Sequence, residues 1–143
     1  MSTANKQEST AQTPAESAGV RVFRGIRGAI TAEADEPDAI TRATKRLLTE
    51  MLQRNALELD DIASALFTMT PDLHASFPAL AAREMGWATV PMLHAVEIDV
   101  PGALGRVIRI LMHVNTTRTP EEIEHVYLDG ATILRPDLHR TPK

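Results

Sequence analysis

The chain has 143 residues, 43% of them hydrophobic and 24% charged, enough for one ordinary globular domain with its own core. A net charge of -4 and an aromatic content of 3% exclude the basic field and stacking surfaces that nucleic acid requires. Zero cysteines exclude disulfides, thiolate metal sites and cysteine nucleophiles, which suits a reducing cytoplasm, the expected location.

No apolar run approaches the roughly 20 residues of a membrane helix, so neither membrane nor nucleic acid is an expected partner. Residues 1–19 are polar, of low complexity and without a hydrophobic leader segment, and read as a disordered tail. A single domain is expected over residues 20–138, with residues 139–143 as a flexible end.

The first strand is expected from Arg21 to Ile30, with arginines at Arg21, Arg24 and Arg27 among β-branched residues and glycines. A guanidinium keeps its charge in a protein, so each must reach solvent or meet an anion. Residues 35–55 then read as an amphipathic helix. Pro37 suits its first position, Asp35 or Glu36 its cap, and Ile40, Ala43, Leu47, Leu48, Met51 and Leu52 one apolar face.

A second strand is expected over residues 62–70, ending at Pro71, and a second helix over residues 75–84, stopping near Gly86. A third strand follows over residues 89–98, then a turn at Pro101–Gly102 and a fourth strand over residues 106–116. In that strand Ile108, Ile110, Met112 and Val114 share one face, and Arg109, Leu111 and His113 share the other. Thr119, Pro120 and Glu121–Glu122 signal a third helix, and residues 130–137 a fifth strand. The expected order is βαβαββαβ, a mixed α/β or α+β domain.

The sequence has no phosphate loop, no dinucleotide fingerprint and no H-E-x-x-H, and its five histidines lack a metal spacing. Neither a metal nor a cofactor is expected. What remains is arginines at strand ends, Glu97 on a strand and the sole tyrosine, Tyr127. The arginine fork matches carboxylates bidentately, so the inventory suits a small carboxylate-bearing ligand. Taken singly, each has a plainer reading. A strand arginine ordinarily covers apolar neighbours with its stem, Glu97 is a solvated edge residue, and Tyr127 is a core aromatic near a helix end.

Several segments, taken in order, resemble one family. They are R-G-I-R-G-A at Arg24–Ala29, T-P-D-L-H-A-S-F-P-A at Thr70–Ala79 and A-R-E-M-G-W at Ala82–Trp87. V-P-M-L-H-A-V-E-I-D-V at Val90–Val100 and R-V-I-R-I-L-M at Arg106–Met112 follow, then H-V-Y-L at His125–Leu128 and L-R-P-D-L at Leu134–Leu138. The chain resembles the monofunctional chorismate mutases of the trimeric, non-helical bacillus type. The resemblance implies rearrangement of chorismate to prephenate, for phenylalanine and tyrosine synthesis, in a homotrimeric pseudo α/β barrel with sites between subunits.

By that resemblance Arg109 is the cation for the ether oxygen, Arg27 and Tyr127 grip the side-chain carboxylate, and Glu97 accepts from the ring hydroxyl. Phe77, Ala79 and Arg83 match residues given to a neighbouring subunit's site, and Leu134 and Arg135 a C-terminal segment lying over it. His94 and Leu93 stand where the family often has cysteine and threonine. An imidazole at 94 would hydrogen-bond Glu97 or simply fill space. Strict alternation sets 94 and 97 on opposite faces, so both line one site only if the strand bends. Two alternatives remain beside the mutase: a trimeric enzyme like the enamine/imine deaminases, and a non-catalytic carboxylate-binding module.

Overall fold

A computed structural model describes residues 19–137; the expected tail (except residue 19) and flexible end lie outside them. The strands are β1 (Val22–Thr31), β2 (Ile62–Met69), β3 (Met92–Val96), β4 (Val107–Thr116) and β5 (Val126–Tyr127). The helices are α1 (Pro37–Arg54) and the short α2 (Ala79–Glu84). The strands make one mixed sheet in the order β3-β2-β4-β1-β5. β4 runs antiparallel to both β1 and β2, whereas β5 pairs parallel with β1 and β3 parallel with β2.

Two expected elements are replaced. The third helix is a single 3-10 turn at Pro120–Glu122, and the fifth strand moves forward to Val126–Tyr127. Thr119 and Glu122 do form a reciprocal capping box, so the start signal is real. Pairing of Val126 with Gly28 claims the backbone four residues after that turn, too soon for a helix to grow. Residues 129–133 are a 3-10 segment instead of a strand. Tyr127 accordingly sits on a strand, not near a helix end.

α1 lies on one face of the sheet because its buried residues Ile40, Leu47, Leu48 and Met51 repeat at helical spacing. It meets Ile26 and Ile30 of β1 and Ile108, Ile110, Met112 and Val114 of β4, all in one core cluster. The expected parity of β4 therefore holds. Gly28 allows the helix to come close, since a Cβ there would collide with the Met51 sulfur. Glu36 takes the N-cap position, while Asp35 accepts hydrogen bonds from the backbone of His74 and Ala75.

Asn55 ends α1 and is 1% exposed. Its Nδ2 donates to the carbonyls of Met51 and Glu124, and its Oδ1 accepts from the Glu124 N–H. This clamp holds the segment that enters β5. Replacing Asn55 with alanine strips partners from buried backbone groups, so the thermal midpoint is expected to fall, by about 2–3 kcal/mol of stability. Thermal unfolding of parent and variant at equal concentration checks this.

The opposite face carries Phe23 and Arg27 of β1, Leu66 and Thr68 of β2, Leu93 of β3, and Arg109, Leu111 and His113 of β4. No helix covers it among the described residues. Phe23 is 60% exposed and Leu93 71%. Phe23 stacks on the His113 ring at 5.4 Å, and His113 Nδ1 bonds the Ser64 hydroxyl at 3.0 Å.

Candidate active site

The three arginines of the first strand have three different surroundings. Arg21 pairs with Asp61 at 2.6 Å, and Arg24, on the helix-covered side, donates to the Arg118 carbonyl. Arg27 stands on the open face. Its guanidinium makes no hydrogen bond among the described residues, though its charge helps lower the pKa of Asp137. That carboxyl is held below its ordinary value first by its hydrogen bond from Arg135.

Arg27, Glu97, Arg109 and Tyr127 line one cleft of about 320 Å³ with Gly28, Leu66, Thr68, Ile110 and Leu111. Register builds it. Arg27 pairs opposite Leu111, Ala29 opposite both Arg109 and Tyr127, and Thr68 opposite Arg109. Glu97 follows the end of β3, its N–H bonded to the Met69 carbonyl. The Thr68 hydroxyl donates a hydrogen bond to its Oε2.

Arg109 Nε lies 3.2 Å from that same oxygen, an ion pair whose N–H is not aimed along a hydrogen bond. Nε is thereby a buried donor without a hydrogen-bond partner among the described side chains. Such an atom is costly unless something completes it. The phenol of Tyr127 belongs to a residue only 4% exposed, packed with Ala29, Val107 and Ala131. Leu134 packs on that same small cluster. Arg135 lies near enough to feel the Tyr127 phenol, though its first partner is Asp137 at 2.8 Å.

The other expected residues gather elsewhere in the chain. Phe77 and His94 line a larger cavity of about 720 Å³ under the loop between β2 and α2. Ala79 opens α2 and is buried, and Arg83 is exposed on the same helix. Leu93 lies on the open face beside Leu66. β3 carries no bulge, so His94 and Glu97 do not share a site within one chain, and the imidazole accepts from Ala79 instead of meeting Glu97.

Sequence reasoning missed Thr68, whose contact with Glu97 depends on β2–β4 register. It also missed Asp72, which accepts from Thr70 and from the Arg106 N–H. The Thr70 hydroxyl and then Arg106 hold its pKa below the ordinary 3.8. Asp72 thus ties the start of β4, and hence Arg109, to the turn after β2. Among the described residues no cluster of histidines and carboxylates gathers that would hold a metal ion.

Two guanidinium groups, one carboxylate and one phenol thus meet around an apolar floor on a mixed α+β domain, a donor set suited to small polar acids. The family model for chorismate mutase type I matches residues 23–138. The chorismate mutase AroH of Thermus thermophilus is 51% identical over 118 residues, covering 82% of this chain and 97% of that protein. That of Bacillus subtilis is 45% identical over 121 residues, covering 84% and 95%. A chorismate mutase structure from Clostridium thermocellum aligns with TM-score 0.76 at 50% identity, covering 77% of this chain and 98% of that one. The chain belongs to the chorismate mutase type I family. Nothing in these relatives supports the deaminase-like or the non-catalytic reading.

Proposed function

We propose that the cleft of Arg27, Glu97, Arg109 and Tyr127 is where this isomerase rearranges chorismate to prephenate. The carrying observation is the unsatisfied Nε of Arg109, held beside Glu97 on the open face of the sheet. The reaction breaks an ether C–O bond and forms a C–C bond within one molecule, without a proton transfer or covalent intermediate. Positioning and preorganised charge are therefore what the protein must supply.

Arg109 stabilises negative charge growing on the ether oxygen as that bond stretches. An interaction that strengthens toward the transition state raises rate and not affinity alone. Glu97 has its Oε2 engaged by Thr68 and Arg109, and its Oε1 accepts the ring hydroxyl. Arg27 and Tyr127 grip the side-chain carboxylate, with Leu134 and Arg135 closing the C-terminal side.

The assembly we propose is a homotrimer, in which Phe77, Ala79 and Arg83 complete a neighbouring subunit's cleft. The uncovered apolar face supports this reading, because a monomer rarely leaves such a surface in water. A cytoplasmic location is part of the proposal, supported by the absence of cysteine. Loss of chorismate and appearance of prephenate with the purified protein tests the function. Turnover without added metal or cofactor is the expected result, and no turnover by a folded trimer would overturn it.

A further inference from the structure

Helix α2 begins with an exposed problem. Its N-cap is Pro78, which offers no side-chain cap, so the N–H of Ala79 has no partner within the helix. Leu80 and Ala81 find the carbonyls of Phe77 and Pro78, but Ala79 donates to His94 Nε2 at 3.1 Å. His94 comes from β3, so the helix start is capped from across the cavity. Its ring also packs against Phe77 at 5.2 Å and Phe67 at 5.8 Å.

We propose that His94 is a positioning residue: its neutral, Nδ1-protonated imidazole caps α2 and fixes the Phe77–Ala79 wall of the substrate site. The inference rests on the reading that Phe77 and Ala79 line that site. Acceptance at Nε2 requires the proton to sit on Nδ1, and protonation of both nitrogens abolishes the cap. The other end of the loop hangs on Asp35, which holds the N–H groups of His74 and Ala75. The wall is thus suspended between a carboxylate and an imidazole.

The charged and titratable groups facing the imidazole are Arg83 of α2 and, across the cavity, His74, itself 3.3 Å from Asp35. β2 and the loop present the rings of Phe67 and Phe77. Partial burial of its ring, and then the Arg83 charge, hold His94 below the ordinary 6.5. Between those two values the unfolded chain binds more protons than the folded one. The acceptor at Nε2 is therefore present above 6.5, and the cap is lost as pH falls through the lowered folded value.

The test compares the parent with His94→Gln and His94→Leu, measuring kcat and KM for chorismate from about pH 5 to 8. Glutamine reaches nearly as far as Nε2 and accepts without titrating. The parent's KM is expected to rise about fivefold at the acid end, the worth of one hydrogen bond, with kcat changing less. His94→Gln keeps the neutral-pH KM and loses the acid limb. His94→Leu carries the raised KM at every pH.

An acid limb unchanged in His94→Gln, or a parental KM in His94→Leu near neutral pH, overturns the proposal. Deuterium-exchange protection of the Ala79 amide and the imidazole nitrogen shifts, read on the same proteins, do not depend on turnover. If the parent is inactive, the mutase reading fails. The cap is still judged by whether Ala79 loses protection in acid in the parent and keeps it in His94→Gln.

Discussion

Arg109→Ala is expected to lower kcat by at least about a hundredfold, a loss of about 3 kcal/mol of transition-state stabilisation. The side chain stands at the centre of the sheet, opposite Ala29 and Thr68, with its stem over the cleft floor. It is part exposed, and its ionic partner Glu97 remains anchored by Thr68 when the guanidinium is gone. The fold should therefore survive, and the loss should appear in turnover. Arg109→Lys should recover only part of it, because an ammonium cannot present the planar fork. Equal rates for parent and Arg109→Ala would show that another group carries the developing charge.

Phe23→Asp is expected to convert the proposed trimer to monomers and to remove most activity with it. Phe23 lies at the far end of the open face from Glu97, paired opposite Asn115 and stacked on His113. It lines no part of the Arg109 cleft. A carboxylate there would have to be desolvated for the face to pack against a second copy, at a cost of several kcal/mol. Within one chain the position is open to water, so the domain should still fold. Sedimentation equilibrium of parent and variant, run beside turnover, reads both effects. A monomeric parent would sink the shared-site arrangement, and a trimeric, active Phe23→Asp would move the interface elsewhere.

Much of this protein was legible in the sequence where a single period governed the outcome. The alternation of β4 put Ile108, Ile110, Met112 and Val114 into the core and left Arg109 on the other face. The three-to-four spacing of Ile40, Leu47, Leu48 and Met51 gave α1 its buried side, and Pro37 its start. The ordered motifs from Arg24 to Leu138 carried the family, which the relatives bear out. These are local patterns, dictated by how side chains project from one helix or one strand.

The tertiary structure decided what depends on pairing between distant segments. Thr119–Glu122 announces a helix, yet the parallel pairing of Val126 and Tyr127 with β1 ends it after one turn. The reach of Asn55 to Glu124 and of Thr68 to Glu97 spans 69 and 29 residues, distances over which no sequence period operates. His94 is the sharpest case. Alternation along the strand already set it on the face opposite Glu97, but only the packing of α2 brought the imidazole to a helix start fifteen residues earlier. Local rules set which face each residue takes, and only the packing of remote backbone set what that face would meet.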